Sequence, residues 1–426
     1  MDIFFVADDF TGGVDVLLQA ARYGQPATMF LSEQAFLAAD RSELRACTGV
    51  ATTFRSSAPT EVEDGLFRIL EHAARTEPRV VQYKICSTAD SSPTRGSVRP
   101  PFEQFLQRGA GRVALLVGQP GLRRYTAFAH HFANDRGTVY RLDRQPTMAN
   151  HPSTPMHEAD LRLHFAEQIG QDVGSITLED MRQDETLSAA WDRETNAGRR
   201  LVVLDVVRTE DLATHGLVLT HDHPAYVIGS GGATLAVAAG LGWQEGSMHH
   251  AQAEASAGPV LVVAGSCSEL TAAQIDHVAD LVEWTTLTWD PEQPAAAVAA
   301  EASRLLDRGQ HVLVHSSGAT SAADVHRADL VDRVPRGLAD IVRSALGRFA
   351  RLVIAGGDTS GDVLTRLSAT NLTTLAVLDR DTCLCLVHGI SEDRGLEVVL
   401  KGGQIGSVDF FVRAARGEVD DADGDE

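Results

Sequence analysis

Short apolar runs recur along this chain. Almost every one ends in small, hydroxyl-bearing or charged residues before a longer segment with helical spacing begins. The run Ile3–Ala7 precedes a helical pattern over residues 13–23, and runs at 80–85, 113–117, 201–207 and 226–228 repeat the arrangement. Runs of this size suit strands buried on both faces. Their alternation with helices predicts an α/β protein built on a largely parallel sheet. Open sheets of this kind bind ligands at the carboxyl ends of their strands, so the residues after each run carry the functional information.

The alternation breaks once. Residues 244–257 are polar, alanine-rich and aperiodic, contain His249-His250, and read as a linker. Strands are then expected at 260–264, 284–289, 312–315, 352–355, 375–378, 384–388 and 397–400, with helices at 271–282, 295–307 and 336–349. At 426 residues the chain exceeds what one core organises. The expected division is a first domain over 1–243, a second over 258–412 and an acidic disordered tail over 413–426. Each domain is expected to be a largely parallel sheet flanked by helices, with an active site in the cleft between them. Residues 141–158, punctuated by Pro146, Pro152 and Pro155, read as a long binding or interaction loop.

Thirty-seven Lys and Arg against 58 Asp and Glu give a formal charge of −21. That excludes sequence-independent binding to nucleic acid and docking on an anionic membrane, both of which need clustered positive charge. The amino terminus has neither a basic region nor a long apolar core of the signal-peptide type, and no run approaches a membrane span, so a cytoplasmic location is expected. Five cysteines are too few and too scattered for a disulfide framework. Neither Cys383-Leu384-Cys385 nor His221-Asp222-His223 has the second pair that zinc requires, and no protein metal ligands are expected. A homodimer is compatible with the sequence.

Several strand ends carry chemistry. Ala7-Asp8-Asp9-Phe10-Thr11-Gly12-Gly13 places two carboxylates, a hydroxyl and two glycines between a strand and a helix. Either aspartate is placed to act as a general base on a substrate hydroxyl; the competing role for Asp9 or Thr11 is to cap the helix. Lys84-Ile85-Cys86-Ser87-Thr88 ends another strand and continues to Arg95. Lys84, Ser87 and Arg95, with Arg55 after a third run and Arg123-Arg124 after Gln119-Pro120-Gly121, suit a carboxylate or phosphate. Gly229-Ser230-Gly231-Gly232-Ala233-Thr234 looks like a phosphate cradle but matches neither nucleotide fingerprint, and reads as a close-packed turn.

In the second half three turns share one character. Gly265-Ser266-Cys267-Ser268, Gly356-Gly357-Asp358-Thr359 and Lys401-Gly402-Gly403 each follow an apolar run. Backbone N–H groups and helix dipoles at such turns hold a polyphosphate, with Mg²⁺ neutralising the remaining charge.

Taken together, the Asp8-Asp9-Phe10-Thr11-Gly12 motif, Gly265-Ser266-Cys267-Ser268, Gly356-Gly357-Asp358-Thr359 and Lys401-Gly402-Gly403 resemble the four-carbon acid sugar kinase family in order and spacing over nearly the whole chain. The resemblance implies an amino-terminal domain that binds the acid sugar and a carboxyl-terminal domain that binds ATP. It implies phosphorylation of a hydroxyl of a C4 acid such as threonate, erythronate or 3-oxo-tetronate. It assigns Asp8, Asp9 and Thr11 to the substrate site, with Arg55 and Lys84 as neighbours holding the carboxylate. Ser266, Ser268, Gly356, Gly357, Asp358, Thr359, Gly402 and Gly403 fall to the nucleotide site. Many members read K-x-D-S-T-L-R-G where this chain has Lys84-Ile85-Cys86-Ser87-Thr88-Ala89-Asp90. Cys86 thus replaces an acid, with the arginine displaced toward Arg95, which leaves room for a branched or longer acid. Two rival readings remain on the sequence: a non-catalytic sensor of small carboxylates, which would not bind Mg-ATP, and a nicotinamide-dependent dehydrogenase, against which the missing G-x-G-x-x-G fingerprint weighs.

Overall fold

The computed structural model describes residues 1–151, 153–182, 187–244, 255–266, 268–316, 328–379, 381–390 and 395–418, with side chains omitted at 328–331, 358 and 379. The His249-His250 pair, Cys267, the Asp358 side chain and residues 419–426 of the acidic tail lie outside the described residues. The chain forms two compact units, Met1–Glu245 and Gly246–Glu426.

In the first unit the strands are β1 (Ile3–Ala7), β2 (Ala27–Phe30), β3 (Cys47–Ala51), β4 (Val80–Lys84), β5 (Val113–Leu116), β6 (Arg124–Ala127), β7 (His130–Asp135), β8 (Thr138–Arg141), β9 (Gly174–Ile176), β10 (Leu201–Leu204) and β11 (Ala225–Gly229). The main sheet runs β2-β3-β1-β4-β11-β5-β10-β9, and the strand pairs that define it are parallel. All five residues of β1 are buried, as a central strand covered on both faces requires. The chain leaves β1 toward β2 and β3, then returns to β4 on the other side. That reversal opens a crevice at the carboxyl ends of β1 and β4.

Helix Phe10–Arg22 starts in this crevice. Helices Thr209–Leu219 and Gly231–Gly240 pack so closely that a Cβ at Gly216 would lie 2.1 Å from the Ala236 carbonyl oxygen. A Cβ at Gly232 would lie 1.9 Å from the Gly118 carbonyl oxygen. The glycines of the 229–234 element therefore serve close backbone approach.

Strands β6, β7 and β8 form a separate antiparallel sheet that the sequence pattern did not announce. Residues 141–158, expected as a long binding or interaction loop, include the short helix Pro146–Ala149 and bury Leu142, Met148 and Met156. Trp191 is buried.

The second unit contains β12 (Val260–Ala264), β13 (Trp284–Thr288), β14 (His311–His315), β15 (Arg351–Ala355), β16 (Asn371–Asp379), β17 (Thr382–His388) and β18 (Leu396–Lys401). Their order is β13-β14-β12-β15-β18-β17-β16. Pairing is parallel from β13 through β18, and β17 runs antiparallel to both its neighbours. Helix Phe410–Arg416 extends past residue 412, where the sequence pattern ended the domain; its buried face, Phe410, Phe411, Ala414 and Ala415, explains why the chain stays ordered there. Among the described residues no helix is long and apolar enough to cross a membrane.

Candidate active site

The strand ends of the first unit gather a charged cluster. The Asp8 N–H donates to the Lys84 carbonyl at 3.0 Å, and the Arg55 N–H donates to the Asp8 carbonyl at 2.9 Å. These bonds set the ends of β1 and β4 and the turn after β3 side by side. The Arg55 guanidinium then folds back over both aspartates. Its Nε and Nη2 donate to the two oxygens of Asp8 at 3.1 and 2.7 Å, and its Nη1 donates to Asp9 Oδ2. A two-pronged guanidinium–carboxylate pair is among the strongest polar contacts a protein makes.

Burial pushes the Asp8 carboxyl up to about 6; Arg55 pulls it down and Asp9 adds to the rise. Burial also opposes the Arg55 charge, but Asp8, Cys86 and Asp9 together hold it well above its ordinary range. The pair is therefore ionised at neutral pH.

The two aspartates differ in access: the Asp8 side chain is 1% exposed and that of Asp9 is 23% exposed. Asp9 Oδ1 also accepts the Gly12 N–H at 2.7 Å as the N-cap of helix Phe10–Arg22. The helix cap and membership of the charged cluster coexist in this residue. A Cβ at Gly12 would fall 2.5 Å from Asp9 Oδ1 and 3.2 Å from Lys84 Nζ, so only glycine lets the helix start among these charges.

Lys84 is buried, with Nζ 3.3 Å from Asp15 Oδ2 and donating to the Ile85 carbonyl at 3.1 Å. Asp15 was not singled out from the sequence. It is the sole acid in its helix and lies four residues after Thr11, hence on the same helical face. Its Oδ1 accepts from Gln19 Nε2 at 2.8 Å and Gln119 Nε2 at 3.4 Å.

The remaining candidates surround this cluster at different depths. Thr11 is exposed on the first helical turn. Arg95 is exposed at the rim, reaching the Ser56 carbonyl at 3.4 Å. Ser87 contributes its carbonyl, which accepts His131 Nε2 at 2.8 Å. A carbonyl only accepts, so Nε2 carries the proton and Nδ1 accepts from the Thr126 hydroxyl at 2.9 Å. Burial drives the His131 imidazole down to about 4 against the Ser87 bond, which keeps it neutral.

This histidine fastens the β6–β7 hairpin, carrying Arg124, to the chain after β4. Cys86, 3.0 Å from Thr88 Oγ1, lies within electrostatic range of both Arg55 and Arg124.

In the second unit the three glycine-rich turns follow β12, β15 and β18, which are adjacent and parallel. They touch one another. A Cβ at Gly403 would lie 2.6 Å from Ser266 Oγ, and one at Gly265 would lie 2.7 Å from Thr359 Oγ1. Gly356 has φ +128°, a value that favours glycine. The Ser268 hydroxyl caps helix Glu269–Ala279 and donates to the Gly403 carbonyl, which Thr271 Oγ1 also reaches at 3.0 Å.

Lys401, 1% exposed, bonds Thr271 Oγ1 at 3.1 Å and the Gly402 carbonyl at 2.9 Å, and so anchors the turn from beneath. Helix Gly357–Arg366 begins at Gly356, which has no side chain to cap it. Ser266, Ser268, Gly356, Gly357, Thr359, Gly402 and Gly403 thus form one patch, built of N–H groups and hydroxyls. Among the described residues no cluster of three or more His, Cys, Asp or Glu could hold a metal ion.

A family model described as a sugar-binding N-terminal domain matches residues 3–238, and one described as a nucleotide-binding C-terminal domain matches residues 261–411. Over 97% of its length the chain is 33% identical to a 3-oxo-isoapionate kinase of Paraburkholderia graminis, of which 94% is covered. It is 27% identical to a 3-oxo-tetronate kinase of Methylobacterium radiotolerans, covering 96% of this chain and 97% of that one. It is 25% identical to a D-threonate kinase of Salmonella typhimurium, with 96% of each covered.

Crystal structures of proteins from Salmonella typhimurium LT2 and Haemophilus influenzae share the fold, with TM-scores of 0.84 and 0.78. Both are 20% identical, the first over 97% of this chain and 99% of its own, the second over 96% and 98%. With both domain models matched in order and curated relatives aligned end to end, this chain belongs to the four-carbon acid sugar kinase family.

Proposed function

We propose that this protein transfers the γ-phosphoryl group of ATP to a hydroxyl of a small sugar acid held at the strand ends of the first unit. The observation that carries the reading is the division of chemistry between the units. One presents carboxylates ordered by guanidinium and ammonium groups, and the other presents three touching turns of N–H groups and hydroxyls. The kinase activities of the aligned relatives agree with it.

Asp9 accepts the proton of the attacking hydroxyl. It is the more open aspartate, and its cap bond and its Arg55 bond fix its direction. Phosphoryl transfer is loose in most analyses, so orientation of the hydroxyl matters more than the strength of the base. Asp8 holds Arg55 in place, and Asp15 holds Lys84; both cations then line the site. Thr11, Ser87 and Arg95 border the same substrate.

The first N–H groups of helix Gly357–Arg366 and the hydroxyls of Ser266, Ser268 and Thr359 take the phosphates, and Gly402 and Gly403 let them approach the backbone. Mg²⁺ binds oxygen ligands and usually reaches such sites on the nucleotide. The Ser266 and Thr359 hydroxyls are suitable oxygen partners for it. When bound, it neutralises charge on the phosphates.

The substrate class is a four-carbon acid or a branched relative of one, in line with the relatives' substrates and with a thiol at Cys86. Coupled ADP release over a panel of C4 to C6 sugar acids tests the reading. Mg-ATP-dependent turnover of at least one member is expected. No turnover across the panel, with no thermal shift by Mg-ATP, would refute it.

A further inference from the structure

Four cations border the first-unit crevice: two are already neutralised, and a third, Arg95, is exposed at the rim and reaches only the Ser56 carbonyl among the described residues. Arg55 is shared between Asp8 and Asp9, and Lys84 is paired with Asp15. Arg124 differs. Its Nη1 donates only to carbonyls, of Leu122 at 3.0 Å and of Arg123 and Asn134 at 3.3 Å. Its Nε is buried without a hydrogen-bond partner, and Nη2 has none among the described residues. No carboxylate among those residues lies within ion-pair distance of it.

Nε and Nη2 form the edge of a guanidinium that takes a carboxylate with two parallel bonds. A buried donor without a partner calls for a ligand or water there.

A second orphan lies alongside. The Gln119 backbone pairs with that of Arg124, N–H to carbonyl, at 2.9 and 3.2 Å. Its Nε2 points to Asp15 at 3.4 Å, and its Oε1 is buried without a partner. The amide cannot be reversed cheaply, because that would set Oε1 against the Asp15 carboxylate. One short strand pair therefore offers an unpartnered guanidinium edge and an unpartnered acceptor, joined through Asp15 and Lys84 to the aspartate cluster.

We propose that Arg124 and Gln119 form the subsite that recognises the acid end of the substrate, Arg124 taking the carboxylate and Gln119 Oε1 accepting a neighbouring hydroxyl. The inference rests on the sugar-acid kinase reading and assigns, within it, the group that separates acids from neutral sugars. Arg55 and Lys84 contribute position for Asp8, Asp9 and Asp15, while Arg124 supplies a half-buried guanidinium with no ion-pair partner among the described residues, Asp135 acting on it only at longer range.

The test compares wild type, Arg124→Gln, Arg124→Lys and Gln119→Leu on the best sugar acid of the panel and on the neutral alditol of the same carbon skeleton. Loss of a two-pronged charged contact raises KM for the acid about 10- to 100-fold. It should change kcat less and leave KM for ATP unmoved. The preference for acid over alditol should collapse in Arg124→Gln. Arg124→Lys, which keeps the charge but not the fork, should recover part of it. Gln119→Leu should raise KM for acid and alditol alike.

Thermal unfolding of each variant guards against global damage. If Arg124→Gln is unstable, the incomplete recovery expected of Arg124→Lys decides instead. An Arg124→Gln enzyme with unchanged KM for the acid, or a lysine variant indistinguishable from wild type in both KM and acid preference, overturns the subsite. If the wild type turns over no acid at all, it is the kinase reading that has failed.

Discussion

Asp8 and Asp9 are adjacent and chemically identical, yet the fold gives them different environments through burial. Asp8 has both oxygens on Arg55 and almost no exposure; Asp9 has one oxygen on a helix cap and an open side. Asparagine caps helices as well as aspartate does but has a single oxygen, so Asp9→Asn keeps the cap, gives up the Arg55 bond and should cost about 1–2 kcal/mol. Its kcat should fall by about 10²- to 10⁴-fold, the range for a lost general base. Near-full turnover in steady-state assays would remove Asp9 from that role.

Asp8 makes a pH prediction. Its folded value is raised to about 6 from an ordinary 3.8, so the folded state binds that proton more tightly than the unfolded chain. The resulting stabilisation is fully present below 3.8 and is lost as pH rises through 6. Activity runs the other way: protonated Asp8 no longer balances Arg55, so kcat/KM should decline below about pH 6. The decline should disappear from the profile of Asp8→Asn, whatever that variant's residual rate. An acid limb that persists in Asp8→Asn belongs to another group.

Both aspartates were legible in the sequence, because an apolar run ending in acids and glycine is a strand-end signal. Asp15 was not, because its meaning depends on Lys84 arriving from β4.

At the scale of elements, the hairpin of β6 and β7 shows why part of the fold escapes a sequence reading. Two-residue hairpin turns need positive φ and are usually marked by Asn-Gly or Asp-Gly. Here the turn is Phe128-Ala129, with φ of 51° and 62°. The signal lies elsewhere in the chain: the buried Asp205, just after β10, accepts the N–H groups of Phe128 at 2.6 Å, Ala129 at 2.8 Å and Leu178 at 3.0 Å. A carboxylate from a distant strand substitutes for the local residues that would have marked the turn.

Asp205→Asn removes an acceptor from under two strained residues and should cost about 1–3 kcal/mol by chemical denaturation. Installing Asn-Gly through Phe128→Asn and Ala129→Gly in that background should restore most of the loss. If the double replacement restores nothing, Asp205 acts through something other than the turn. In the second unit, by contrast, all three turns were readable, because each lies within a few residues of its own strand. Their mutual contact was not, since it depends on β12, β15 and β18 becoming neighbours.

For the whole molecule, the alternating pattern indicated an α/β fold, because central parallel strands must be apolar throughout, and its one break at 244–257 together with the chain length indicated two units. Ligand linkage gives each unit its own prediction. A ligand at 100 times its Kd stabilises what it binds by about 2.7 kcal/mol. For a unit the size of the second, that corresponds to roughly 5–10 °C in Tm. Mg-ATP should therefore raise the transition that belongs to Gly246–Glu426, and hydrogen exchange should slow in peptides covering Gly265-Ser266, Gly356-Gly357 and Gly402-Gly403.

A sugar acid added alone should instead slow exchange around Asp8-Asp9, Lys84 and the Gln119–Arg124 pair. These two patterns must separate if nucleotide and acid are read by different units. If Mg-ATP slowed exchange at Asp8-Asp9 and left the three glycine turns unchanged, the division of labour between the units would be wrong, even for an enzyme that still phosphorylated its substrate.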